Sequence, residues 1–218
     1  MQRITTRLLI TCLLASAGLA CAAPPPSLQA AVAAYERGDL AGARVALERL
    51  SKAGVPGADY NLAVMHLRGE LPRASPQEGL RLMTRAAEAG FVTAMLTLGQ
   101  MYENGDTGRT DIVAANRWYL RAAESGSADA QVAIATAHYL GRGAKRDLAE
   151  AARWYREAAK GGDVGAQYLL ASMYESGEGV EQDLRLARYW YDIAARNGDE
   201  AAPGKVKELD DRLGAKPT

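Results

Sequence analysis

Residues 154–162 read Trp154-Tyr155-Arg156-Glu157-Ala158-Ala159-Lys160-Gly161-Gly162, and the same arrangement stands 36 residues before and 36 residues after. Trp118-Tyr119 and Trp190-Tyr191 are the counterparts, each followed by an alanine pair, Ala122-Ala123 and Ala194-Ala195, and then by Gly126 and Gly198. The step also links Asp111, Asp147 and Asp183, and carries Ala94 to Ala130 and Ala166. One step back from Ala94 lies Ala58, with Gly69, Leu82, Met83, Ala86-Ala87 and Gly90 in register. A fixed period held by several residue types marks stacked structural units, because no single unit of this size can bury its own apolar face.

Each unit reads as two antiparallel helices, A then B. In the last unit Ala166, Leu170, Ala171 and Tyr174 share one face of helix A, over about 165–175. Gly177-Glu178-Gly179 stops it, since glycine relieves the left-handed strain at a helix end. Asp183 opens helix B, its carboxylate accepting first-turn amides at the positive helix end. Helix B points Ala187, Trp190, Tyr191, Ala194 and Ala195 inward, and Gly198 ends it. Asp147 followed by Glu150 has the spacing of a reciprocal capping box. The recurring alanines allow close helix approach, and one Trp per unit fills the remaining volume.

The pattern Ala-x3-Leu-Gly-x2-Tyr-x2-Gly, then Asp-x3-Ala-x2-Trp-Tyr-x2-Ala-Ala-x2-Gly, resembles the Sel1-like repeat family, a relative of the tetratricopeptide repeats. Ala94, Leu98, Gly99, Tyr102 and Gly105 carry the first half, and the units from Ala130 and Ala166 carry the second. The first unit departs from it: Leu82-Met83 replaces Trp-Tyr, Ser75-Pro76 replaces the Asp cap and Gly79 replaces alanine. The resemblance implies an all-α fold, a right-handed α-α superhelix of about four Sel1-like helix pairs. The expected layout is a signal peptide over 1–22, a Pro-rich spacer over 23–26 and a tetratricopeptide-like helix pair over 27–54. A degenerate repeat over 55–91 follows, then repeats over 92–127, 128–163 and 164–199. A C-terminal capping helix over 200–214 carries Val206, Leu209 and Leu213 on one stripe.

At the N-terminus Arg3 and Arg7 precede an apolar run from Leu8 to Leu19, which ends in Ala20-Cys21-Ala22. This is the composition of a secretory signal peptide, and the run falls short of the ~20 residues of a membrane span. Cleavage before Ala23 predicts a periplasmic or secreted protein without cysteine, since Cys12 and Cys21 both leave. A lipid anchor at Cys21 is the alternative, giving an outer-membrane lipoprotein of envelope assembly or polysaccharide export. It is not favoured, because Gly18 stands where lipoproteins carry a large aliphatic residue. Lys and Arg number 26 against 26 Asp and Glu, and they are interspersed, which argues against nucleic acid as a partner.

No catalytic, cofactor or metal site is read. His66 and His138 occupy the position of Tyr102 and Tyr174, two repeats apart, and read as aromatic substitutes in the packing. Asp111, Asp147 and Asp183 sit one per unit and cannot converge on a substrate. Gly141-Arg142-Gly143 and Gly177-Glu178-Gly179 follow helices and lack the Lys-Ser/Thr of a phosphate loop. Some cysteine-rich Sel1-like proteins are linked to β-lactam binding or hydrolysis, but those carry a cysteine pair in each repeat. By the family's geometry the inner face is lined by three columns of helix A. They are Tyr60, Leu96, Val132 and Tyr168; Val64, Gln100, Thr136 and Ser172; and Leu67, Glu103, Tyr139 and Glu175. These positions vary between units while the core does not, which suits a scaffold or adaptor contacting a protein or peptide partner. Tyr60, Tyr139 and Tyr168 are the leading contacts, tyrosine being favoured at binding hot spots.

Overall fold

The computed structural model describes residues 27–214, so the signal-peptide, cleavage and Cys21 readings lie outside the described residues. Within them the fold is an all-α solenoid of eleven helices. The first pair is α1 (Leu28–Glu36) and α2 (Leu40–Lys52). Four further pairs follow: α3 (Pro56–Leu67) with α4 (Pro76–Glu88), α5 (Val92–Asn104) with α6 (Ile112–Glu124), α7 (Ala128–Leu140) with α8 (Leu148–Lys160), and α9 (Val164–Ser176) with α10 (Leu184–Arg196). The last helix is α11 (Ala202–Gly214). Each helix packs on its neighbours in sequence, and beyond them only α1 against α3 makes more than slight contact.

The helix starts follow local chemistry. Ser27, Asp39, Ser75, Asp111, Asp147 and Asp183 each accept a first-turn amide on the side-chain oxygen, and Ser127 and Asp163 do so at α7 and α9. The expected reciprocal box at α8 is only half formed. Glu150 N–H donates to Asp147 Oδ1 at 3.0 Å, but Asp147 N–H donates to the His138 carbonyl at 2.9 Å. Glu150 turns instead to Arg153. The same closure joins Asp111 N–H to Tyr102 O at 2.8 Å and Asp183 N–H to Tyr174 O at 2.9 Å. In the first unit the chain takes another route, and Ser75 N–H donates to His66 Nδ1 at 3.2 Å. His66 is thus a hydrogen-bonding member of the loop closure as well as a packing residue.

The Gly-x-Gly loops have a structural cause. Gly141 and Gly177 end α7 and α9 at positive φ. Two residues on, Gly143 lies against Ile112 and Gly179 against Leu148, at the start of helix B of the preceding unit. A Cβ on Gly179 would stand 2.1 Å from the Leu148 carbonyl oxygen, so only glycine lets the loop seat there.

The core is a ladder of small residues. Ala94, Ala122, Ala130, Ala151, Ala158, Ala166, Ala187 and Ala194 are fully buried, with Leu98, Ile134 and Leu170 between them. Tyr119, Tyr155 and Tyr191 are buried as well, whereas among the tryptophans only Trp154 is; Trp118 and Trp190 are half-exposed. Arginines cover their outer faces, Arg121 at 4.6 Å over Trp118 and Arg153 at 4.2 Å over Trp154, and Tyr189 packs edge-on at 5.4 Å against Trp190. The tryptophans therefore seal the outer wall, and the tyrosines fill the space between helices.

Candidate functional site

The three columns read from the sequence lie on one face of α3, α5, α7 and α9. Tyr60, Leu96, Val132 and Tyr168 are half-buried and pack down onto the core. The Tyr60 ring rests on Phe91 at 5.3 Å, and Tyr168 meets Tyr191 edge-on at 5.0 Å. In the second column Gln100 is exposed, while Val64, Thr136 and Ser172 are half-buried. In the third, Leu67 is exposed and Glu103, Tyr139 and Glu175 are half-buried.

This face is bonded to helix B in a way the sequence reading missed. The hydroxyl of each helix-B tyrosine emerges among the columns. Tyr119 donates to Glu103 Oε2 at 2.7 Å and Tyr191 to Glu175 Oε2 at 3.0 Å. In the third unit the glutamate position is Tyr139, so Tyr155 bonds Thr136 Oγ1 at 2.9 Å instead. Tyr139 then donates across the repeat boundary to Glu178 at 2.8 Å. In the first unit Met83 has no hydroxyl to offer, and Leu67 stands in the glutamate position. Polar meets polar in three units and apolar meets apolar in the fourth. Burial and the neighbouring carboxylate push the Tyr119 and Tyr191 hydroxyls well above the usual phenol range.

The two glutamates are further tied to the next unit. Arg142 reaches Glu103 at 2.7 Å, and Arg212 and Lys205 of α11 reach Glu175 at 2.8 and 3.4 Å. Of the twelve positions, Glu103, Tyr139 and Glu175 are therefore committed to struts between units.

Two clefts lie at equivalent places between successive helices A. In the second unit the cleft is closed down to about 170 Å³ by Tyr119, Glu103 and Arg142. The same place one repeat earlier opens to about 570 Å³, bounded by Leu67, Met83, Thr97, Gln100, Met101 and Asp106. Tyr60 and Val64 extend its wall. Met83, Thr97, Met101 and Asp106 were not among the residues picked from the sequence. The departure of Leu82-Met83 from Trp-Tyr is the signal that would have pointed to them.

Among the described residues no group of three or more His, Cys, Asp or Glu is placed to hold a metal ion, and no helix is long and apolar enough to cross a membrane. The Sel1 repeat family model matches residues 56–91, 92–127, 128–163 and 164–199. This chain belongs to the Sel1 repeat family. Among solved structures it is similar to the Sel1 repeat protein from Oxalobacter formigenes, 34% identical over 77% of this chain and 49% of that one, with a TM-score of 0.70. It is also similar to a protective antigen of uropathogenic Escherichia coli strains that displays an SLR fold, 29% identical over 86% of this chain and 42% of that one, TM-score 0.76. The chain spans less than half the length of either structure. No curated protein matches it. The first Sel1 unit, degenerate in its helix B, is matched by the family model with the rest, and its helices pack in the same order.

Proposed function

We propose that this Sel1 repeat protein is an exported adaptor that presents the helix-A face of its units to a protein or peptide partner in the cell envelope, and that it carries out no catalysis. The observation that carries the reading is a contrast within each helix A. Positions turned to the core repeat as Ala, Leu or Ile, and Gly or Ala, whereas the columns on the other face change in size, charge and hydrogen-bonding capacity from unit to unit. A stack of this kind keeps its fold while its contact surface is free to diverge. Export is supported by the Arg-flanked apolar run ahead of Ala23. The absence of catalysis is supported by the use of the recurring aspartates, whose oxygens accept amides of their own helices.

Affinity capture from an envelope extract tests the reading. Replacing Tyr60, Tyr139 and Tyr168 together by alanine should abolish capture of the partner held by wild type, while a thermal melt still shows a cooperative transition. Retention of the partner by a folded triple variant would remove the face assignment. Edman or mass-spectrometric reading of the mature N-terminus tests export, with Ala23 as the expected first residue.

A further inference from the structure

The two successive clefts differ by a matched set of substitutions. At equivalent places the second unit has Glu103, Tyr119 and Arg142, and the first has Leu67, Met83 and Asp106. In the second unit tyrosine, glutamate and arginine bond to one another and close the space. In the first, the tyrosine ring and the glutamate are both gone, and the open space, which here also runs along Tyr60, Val64 and Arg68, is about 570 Å³ against about 170 Å³. The floor is then apolar and adaptable, because Met83 and Met101 are unbranched and fit side chains of several shapes.

The charges change in the same step. Arg142 has Glu103 opposite it, but its counterpart Asp106 faces Leu67, and among the described residues no Lys, Arg or His lies within ion-pair distance of Asp106. Arg68, also at the rim, donates to the Tyr35 hydroxyl at 3.0 Å and lies 4.0 Å from Glu70, so its charge is paired away from Asp106. The cleft is an open groove with an apolar floor and a polar rim, and at its edge stands one negative charge with no cation at ion-pair distance. We infer that it anchors a linear peptide segment of the partner, through an aliphatic, Met or Phe side chain in the cleft and an adjacent Lys or Arg on Asp106. The inference rests on the adaptor reading and gives that partner a chemistry. Burial of the apolar anchor supplies affinity, and the rim charge selects the neighbouring residue.

The test is a random linear peptide library displayed on phage and selected against the mature full chain. Recovered peptides are then synthesised and titrated by fluorescence anisotropy. Sequences pairing an apolar residue with an adjacent Lys or Arg should enrich. Leu67→Glu combined with Asp106→Arg transplants the charge pair of the second unit, and should weaken those peptides by about tenfold or more. Asp106→Arg alone should switch the selected neighbour from basic to acidic. Both positions are exposed, so melts should be unchanged. Failure to enrich such a motif, or equal binding by the transplant, overturns the site. A peptide lost with Tyr139→Ala and Tyr168→Ala but kept by the transplant overturns this site and leaves the adaptor reading standing. One indifferent to both sets removes both. If sedimentation shows that wild type self-associates and the transplant does not, the occupant is a second copy, and the peptide assignment falls.

Discussion

The tyrosine of each Trp-Tyr pair has a buried ring and a hydroxyl that surfaces on the opposite helix. Tyr119 and Tyr191 share this geometry with Glu103 and Glu175, and the pairing is visible in the sequence only as two residues 16 apart. Removing one hydroxyl should cost about 1.5 kcal/mol at neutral pH, the low end for a bond to a charged group, because each glutamate keeps its arginine. The dependence on pH follows from the raised hydroxyl pKa. An unfolded tyrosine ionises near pH ~10, whereas these hydroxyls hold their protons higher, so the stabilisation is complete below ~10 and fades as pH rises above it. Tyr119→Phe and Tyr191→Phe should therefore melt below wild type at pH 8, and the gap should narrow through the alkaline range. A gap that stays constant to high pH would show that the hydroxyls contribute nothing through these protons.

At the scale of the element, caps and stops account for most of what was legible beforehand. Aspartate before an apolar run and glycine after it act within a few residues, so the starts of α6, α8 and α10 could be read directly. The incomplete capping box was not legible, because the Asp147 amide is claimed by a carbonyl nine residues back, across the whole loop. The cleft of the first unit was hidden for the same reason: Leu67, Met83 and Asp106 meet only after three elements have stacked. The resemblance to the family placed the columns of helix A on one face, but the commitment of Glu103, Tyr139 and Glu175 to struts was not legible. A glycine comparison tests how tightly loops are seated. Gly162 and Gly179 both have positive φ, 94° and 72°, yet a Cβ at Gly162 meets nothing within 4 Å. Gly162→Ala should cost about 1 kcal/mol from backbone strain alone. Gly179→Ala adds collision with the Leu148 carbonyl and should cost about 3 kcal/mol or more in urea denaturation. Equal costs would mean that the loop can lift off the preceding unit without loss.

Among the described residues most of the buried apolar side chains fall in a long cluster running from Ala31 to Met173 and a smaller one of Ala171, Ala187, Tyr191, Ala194, Ala202 and Leu209. The second belongs to α9, α10 and α11. In α11, Ala202 stands where Ala166 does one unit earlier, and Val206 where Leu170 does, so this helix docks as a further helix A. Its remaining face differs: Lys207 replaces the small residue that a following helix B would require, and Asp210 bonds Arg188 of α10. The face that a following helix B would cover is therefore charged. Because stability in such an array is a sum of local and nearest-neighbour parts, damage at one end should stay there. Leu209 is fully buried in the smaller cluster, and Leu209→Asp would place an unpaired carboxylate among Tyr191 and Ala194. Native-state hydrogen exchange should then quicken in α11, and in α10, which it covers, while amides of α3 to α6 keep their protection. The cleft bounded by Leu67, Met83 and Asp106 should bind its peptide unchanged. A uniform rise in exchange along all the helices would show that the units unfold as one body, and the one-dimensional description of the fold would fail with it.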